Sequence, residues 1–91
     1  SSAASDVYKR QLHIAPREIH WVNPARTMPA GQSARFSVRI RYRQPLQEAT
    51  LFVRDQGAYI LFDTPQRGIT PGQFAAWYDG DELVGSGVIS E

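Results

Sequence analysis

The stretch ARFSVRIRYR, residues 34–43, alternates without a break. Phe36, Val38, Ile40 and Tyr42 fall on one side, and Arg35, Ser37, Arg39, Arg41 and Arg43 on the other. A period of two marks a β-strand with one face in a core and the other in water. EATLFVR (48–54) and AYILF (58–62) read as two more strands joined by the short connection DQG. FAAWY (74–78) and ELVGSGVIS (82–90) flank DGD, where Asp79-Gly80 signals a two-residue type I′ hairpin turn. Upstream, EIHWV (18–22) and LHI (12–14) are shorter candidate strands. The six prolines, at 16, 24, 29, 45, 65 and 71, all fall between these segments, as expected for residues that cannot donate to a strand ladder. No stretch carries a helical period. Six or seven short strands this closely spaced predict an all-β fold, a small closed antiparallel barrel, because closure removes exposed edges.

Ninety-one residues suffice for one domain, burying roughly 60–65% of the unfolded chain's surface. That leaves room for a modest core and none for a deep cleft between lobes. With no cysteine, disulfides, thiolate ligands and a cysteine nucleophile are excluded. No apolar run approaches the ~20 residues of a membrane helix, and the expected setting is the cytoplasm. Net charge is +1, from ten basic and nine acidic residues. Setting aside residues 1–11, with Lys9, Arg10 and Asp6, leaves eight of each sign, every basic one an arginine. A nucleic-acid function must therefore be argued from where the arginines sit.

Four of them, Arg35, Arg39, Arg41 and Arg43, share one face of the strand at 34–43. Such a stripe suits phosphate, since guanidinium is planar and permanently charged. It equally suits a solvated face paired to carboxylates, with Glu48, Asp55 and Asp63 as candidate partners. In ITPGQ (69–73), Pro71-Gly72 signals a turn with Gln73 at its tip. His13 and His20 are seven apart with Glu18 between, a spacing that matches no common metal motif, and no metal is expected. DGDE (79–82) lacks the later ligands of a calcium loop. GSG (85–87) sits inside a terminal strand with no helix after it, so it reads as a bulge or a close backbone approach rather than a phosphate loop. No catalytic residue set is present.

Together, RYRQ (41–44), FDTPQRGITPGQFAAWYDGDELVGSGVI (62–89) and IHWV (19–22) resemble one family, the C-terminal domain of the bacterial tRNA-specific 2-thiouridylases of the MnmA type. The resemblance covers residues 12 to about 90. It implies an elongation-factor-like β-barrel that helps clamp the tRNA anticodon arm, at the end of a longer tRNA-uridine 2-sulfurtransferase. In that enzyme it implies an N-terminal domain using ATP and magnesium to adenylate C2 of the wobble uridine, a cysteine pair delivering persulfide sulfur, a central domain, and a sulfur-relay carrier as partner. No cofactor is expected in the present chain. The family's tRNA-contacting positions fall on Arg41, Tyr42 and Gln73, and the stripe adds Arg39, Arg43 and Gln44 as secondary candidates. Alternation puts Tyr42 on the core face, so for it to reach RNA the strand must end or twist near it. The other reading is a structural barrel that positions catalytic domains or docks a protein.

The opening string SSAASDVYKRQ changes character abruptly at Leu12. It resembles an in-frame translation of a transposon-end adapter used in sequencing libraries. Residues 1–11 are therefore expected to be a non-native, disordered leader, and residues 12–91 the barrel domain.

Overall fold

A computed structural model describes residues 8–40 and 45–90. It is all-β, as the alternating segments predict. Seven strands run β1 (Tyr8–Ile14), β2 (His20–Trp21), β3 (Ser33–Arg39), β4 (Gln47–Arg54), β5 (Gly57–Arg67), β6 (Phe74–Asp79) and β7 (Glu82–Val88). They form one antiparallel sheet in the order β1-β5-β4-β3-β6-β7-β2. The sheet curls until its ends approach each other. Ile14 bridges Ile89, the Ser90 N–H donates to the His13 carbonyl at 2.7 Å, and the Ala15 N–H donates to Ser90 Oγ at 2.9 Å. The closure is therefore a short seam between the end of β1 and the residues just past β7.

The core is the inward half of each alternating strand. β3 and the residue after it supply Phe36, Val38 and Ile40, β4 supplies Ala49, Leu51 and Val53, and β5 supplies Ala58, Ile60 and Phe62. Trp77 on β6 is the largest fully buried side chain, and its ring meets Trp21 edge-on at 5.7 Å. The glycines of GSG serve the close approach their sequence suggests. A Cβ on Gly85 would stand 2.7 Å from Trp77 Cζ2, and one on Gly87 would stand 2.6 Å from Ile14 Cγ2. A bulge lies there too, because Trp77 pairs with Gly85 and Tyr78 with Leu83, leaving Val84 as the extra residue.

Several element ends differ from the sequence reading. β3 ends at Arg39 rather than Arg43, with Ile40 in a bend; residues 41–44 lie outside the described residues. β1 starts at Tyr8, inside the segment expected to be disordered, because the eleven-residue β5 offers it partners. Tyr8 pairs with Arg67, Lys9 with Gln66 and Gln11 with Leu61. That same long β5 contains Pro65, against the expectation that prolines avoid strands. Pro65 falls where the β1–β5 register jumps between Lys9 and Gln11, and no ladder N–H is needed at such an irregularity. The segment at 18–22 shortens to two residues, since Pro16 opens a single 3-10 turn that takes in Glu18. In the β6–β7 hairpin Asp79 pairs with Glu82, so the turn residues are Gly80 and Asp81. Of these two residues only Gly80 has a positive φ, at 65°, which is the pattern of a type II′ rather than a type I′ turn.

Candidate nucleic-acid interface

The outward residues of β3 and β6 meet where these strands pair. Arg39 lies opposite Ala76, and Ser37 opposite Tyr78. Along β6 the outward side chains are Phe74, Ala76 and Tyr78, while Ala75 and Trp77 turn inward. The small Ala76 leaves a trough between the two aromatic rings, into which Arg39 projects from the neighbouring strand. The result is an open groove of about 560 Å³ lined by Arg39, Gln73, Phe74, Ala76 and Tyr78 among others. Its volume falls within the ~300–1,000 Å³ of ordinary ligand sites.

One end of the groove is built by the turn Thr70–Gln73. Pro71 presets the second position and Gly72, with φ 95°, takes the third, the residue pattern of a type II turn. The turn is held twice. Its own backbone bond runs from the Gln73 N–H to the Thr70 carbonyl at 3.4 Å, and the Gln73 side-chain oxygen Oε1 accepts from the Thr70 N–H, also at 3.4 Å. It is then tied to the chain end, since the Gly72 N–H donates to the Ile89 carbonyl at 2.9 Å and the Ile89 N–H to the Gln73 carbonyl at 2.8 Å. With Oε1 turned to a backbone donor, Gln73 keeps the two N–H bonds of its amide for other partners.

The arginine stripe divides into two kinds. Arg35 grips Asp63 through two nitrogens at 2.7 and 2.5 Å, reaches Thr50 Oγ1 at 3.0 Å, and stands 4.0 Å from Glu48. Two of the three acidic partners suggested by the sequence, Glu48 and Asp63, thus neutralise this end. The hydrogen bonds from Arg35, with its charge, hold the Asp63 carboxyl below its ordinary range against the opposing effect of desolvation; the charge of Arg10 adds to them. Arg39 is different. Its Nη2 donates to the Tyr78 hydroxyl at 3.0 Å and its guanidinium lies 5.4 Å from the centre of the Tyr78 ring. Among the described residues no carboxylate stands within 4.0 Å of it. What the groove offers is therefore donors: the remaining Arg39 N–H groups, the Tyr78 O–H and the Gln73 amide. Such a surface suits phosphate, base carbonyls or ring nitrogens.

Of the residues singled out from sequence, Gln73 and Arg39 come together here. Arg41, Tyr42, Arg43 and Gln44 lie outside the described residues, although the chain enters that segment directly from Ile40 at the groove's edge. Regular pairing in β3 stops at Arg39. Phe74 and Tyr78 were missed as site residues. The signal was available in FAAWY, where alternation sends one set of side chains outward and that set carries two aromatics. His13 stacks on Tyr59 at 4.8 Å, and its Nε2 lies 2.8 Å from the Gln56 carbonyl. Among the described residues no three His, Asp or Glu side chains are grouped to hold a metal ion.

Comparison with known proteins places this barrel. The family model described as the aminomethyltransferase beta-barrel domain matches residues 11–89. The chain belongs to that family. Within this aminomethyltransferase barrel family it is 51% identical over 84 residues to a protein named tRNA-specific 2-thiouridylase MnmA from Christiangramia forsetii, and 50% identical over 84 residues to its namesake from Flavobacterium johnsoniae. The namesake from Pseudomonas fluorescens is 46% identical over 72 residues. These alignments cover 92%, 92% and 79% of this chain, and 21%, 21% and 18% of the relatives. The chain spans about a fifth of the length of the curated relatives it matches. The resemblance drawn from RYRQ and the FDTPQ-to-GVI stretch is thus borne out at the level of family and domain. No helix among the described residues is long and apolar enough to cross a membrane.

Proposed function

We propose that the groove between β3 and β6 is a tRNA-contacting surface, and that the barrel serves as the tRNA-binding domain of a longer tRNA-uridine 2-sulfurtransferase. The observation that carries this reading is that no carboxylate among the described residues stands within 4.0 Å of Arg39 in the groove, while Arg35 on the same strand is neutralised by Asp63. Similarity to proteins named as 2-thiouridylases supports tRNA as the ligand. Arg39 would take a phosphate, Gln73 a ribose or base acceptor, and Arg41 and Tyr42 would extend the contact along the anticodon arm, with Arg43 and Gln44 at its margin. We assign the ATP and magnesium of the whole reaction to other parts of a longer protein: among the described residues no glycine-rich turn leads into anything longer than a single 3-10 turn, and no three His, Asp or Glu side chains are grouped to hold a metal ion. Activation of the uridine, sulfur delivery and docking of a relay carrier would belong to other parts of a longer, cytoplasmic protein.

The test is tRNA binding by the 91-residue chain across a salt series. Binding is expected to be weak, with a log–log salt slope of about −2 to −3. Arg39→Ala is expected to reduce the steepness by about 1 and leave circular dichroism unchanged. A flat salt response that the substitution does not alter would reject the proposal.

The alternative, a barrel that positions other domains, has its own observation. Phe52, Tyr59 and the exposed Leu61 line a second depression on β4 and β5, away from the groove. Substitutions there would be expected to disturb assembly with a partner domain and leave tRNA affinity intact.

A further inference from the structure

Phe74 is 66% exposed, the most exposed large apolar side chain among the described residues. Packing does not explain it, because the core of β6 is filled by Ala75 and Trp77 on the opposite face. Nor does it join another ring or cation among the described residues, whereas Tyr78, four residues along the same face, lies beneath Arg39. A lone exposed phenylalanine is unremarkable. This one, however, directly follows Gln73, whose amide N–H groups have no hydrogen-bond partner among the described residues, and it shares a groove with Arg39, which no carboxylate among those residues approaches within 4.0 Å.

Resting on the RNA reading above, we propose that Phe74 is a stacking platform for a single unpaired nucleobase, read at its edge by the Gln73 amide with the adjoining phosphate held by Arg39. The chemistry is complementary throughout. A nucleobase presents an apolar π-face to the ring and hydrogen-bond acceptors at its rim, and the linked phosphate meets the cation. Phe74 and Ala76 are successive outward residues, about 7 Å apart, so the missing bulk at Ala76 leaves the ring's flank open. A base buried in a duplex has both faces occupied and cannot use the platform. The groove therefore selects unpaired RNA.

The probe is a short single-stranded RNA with a central 2-aminopurine, and the same strand annealed to its complement, each titrated with the 91-residue chain. The expected results are a change in 2-aminopurine emission in the single strand as the base leaves its neighbours, preference over the duplex, and a roughly 5- to 150-fold loss of single-strand affinity in Phe74→Leu. Phe74→Trp should retain both the emission change and the affinity, showing that an aromatic face rather than a fold defect is at issue. Salt-dependent binding that Arg39→Ala weakens but Phe74→Leu does not, with no change in emission, overturns the platform while RNA binding stands. It would assign the ring to a protein contact instead. Absence of binding to both RNAs and to tRNA by the folded chain overturns the RNA reading and the platform together.

Discussion

Arg35 closes on Asp63 through two guanidinium nitrogens, while Arg39, four residues along the same face, lies over the Tyr78 ring. Both positions read alike in sequence, as outward arginines on an alternating strand. What separates them is which strand stands beside each: β4 and then β5 bring acids to Arg35, and β6 brings an aromatic ring to Arg39. Glu48 and Asp63 were legible as partners from composition, but the selection among arginines was not, since it depends on register. The Asp63 pair has a pH signature. Its folded carboxyl titrates below the ordinary carboxylate range, so the pair's contribution is present above that range and lost as pH falls through the folded value. Both side chains are half exposed, so solvent and salt keep the effect small. Asp63→Asn is therefore expected to lower the melting temperature slightly at neutral pH. The gap to the wild type should close in strong acid and shrink at high salt. A gap that stays constant from neutral pH to strong acid would contradict this assignment.

At the scale of elements, alternation located the strands, because one buried face imposes a period of two wherever a sheet covers a core. It could not place their ends. β5 runs on through Pro65 because β1 supplies a partner across a register jump, and β3 stops at Arg39 before its alternating pattern does. Those are tertiary facts, invisible to local pattern. β7 was legible in a different way. Its glycines announced a close approach, and the neighbour proved to be the buried Trp77 ring. Because that ring is fully buried and cannot swing away, Gly85→Ala forces overpacking, expected to cost about 1–3 kcal/mol. Thermal melting should show it as a drop of roughly 4–8 °C per kcal/mol for a domain this size. Ser86→Ala, on the intervening position of the same strand, should be close to neutral, and equal effects at both sites would rule out the Trp77 clash.

For the whole molecule, closure into a barrel was expected from the number of short strands, but where the seam would fall was not. It lies between Ile14 and Ile89, with Ser90 adding two hydrogen bonds. Ile89 is fully buried, so Ile89→Ala is expected to cost about 2–5 kcal/mol against a total of about 5–14 kcal/mol for a domain of this length. Urea unfolding should show a lower midpoint, and an unchanged midpoint would mean that the seam contributes little. The candidate site was half legible for the same reason. Gln73 and Arg39 could be named singly, but their meeting depends on β3 and β6 being neighbours, and the role of Phe74 on knowing which outward residues stay uncovered. Ile89 also gives its carbonyl to the Gly72 N–H and its own N–H to the Gln73 carbonyl. One residue thus joins the rim of the groove to the first place where the barrel would come apart. Opening of the Ile14–Ile89 seam would then also release the Thr70–Gln73 turn, while Arg39 and Tyr78 stayed in place on the paired β3 and β6, so a ligand held by the Gln73 amide would act as a clasp on the seam.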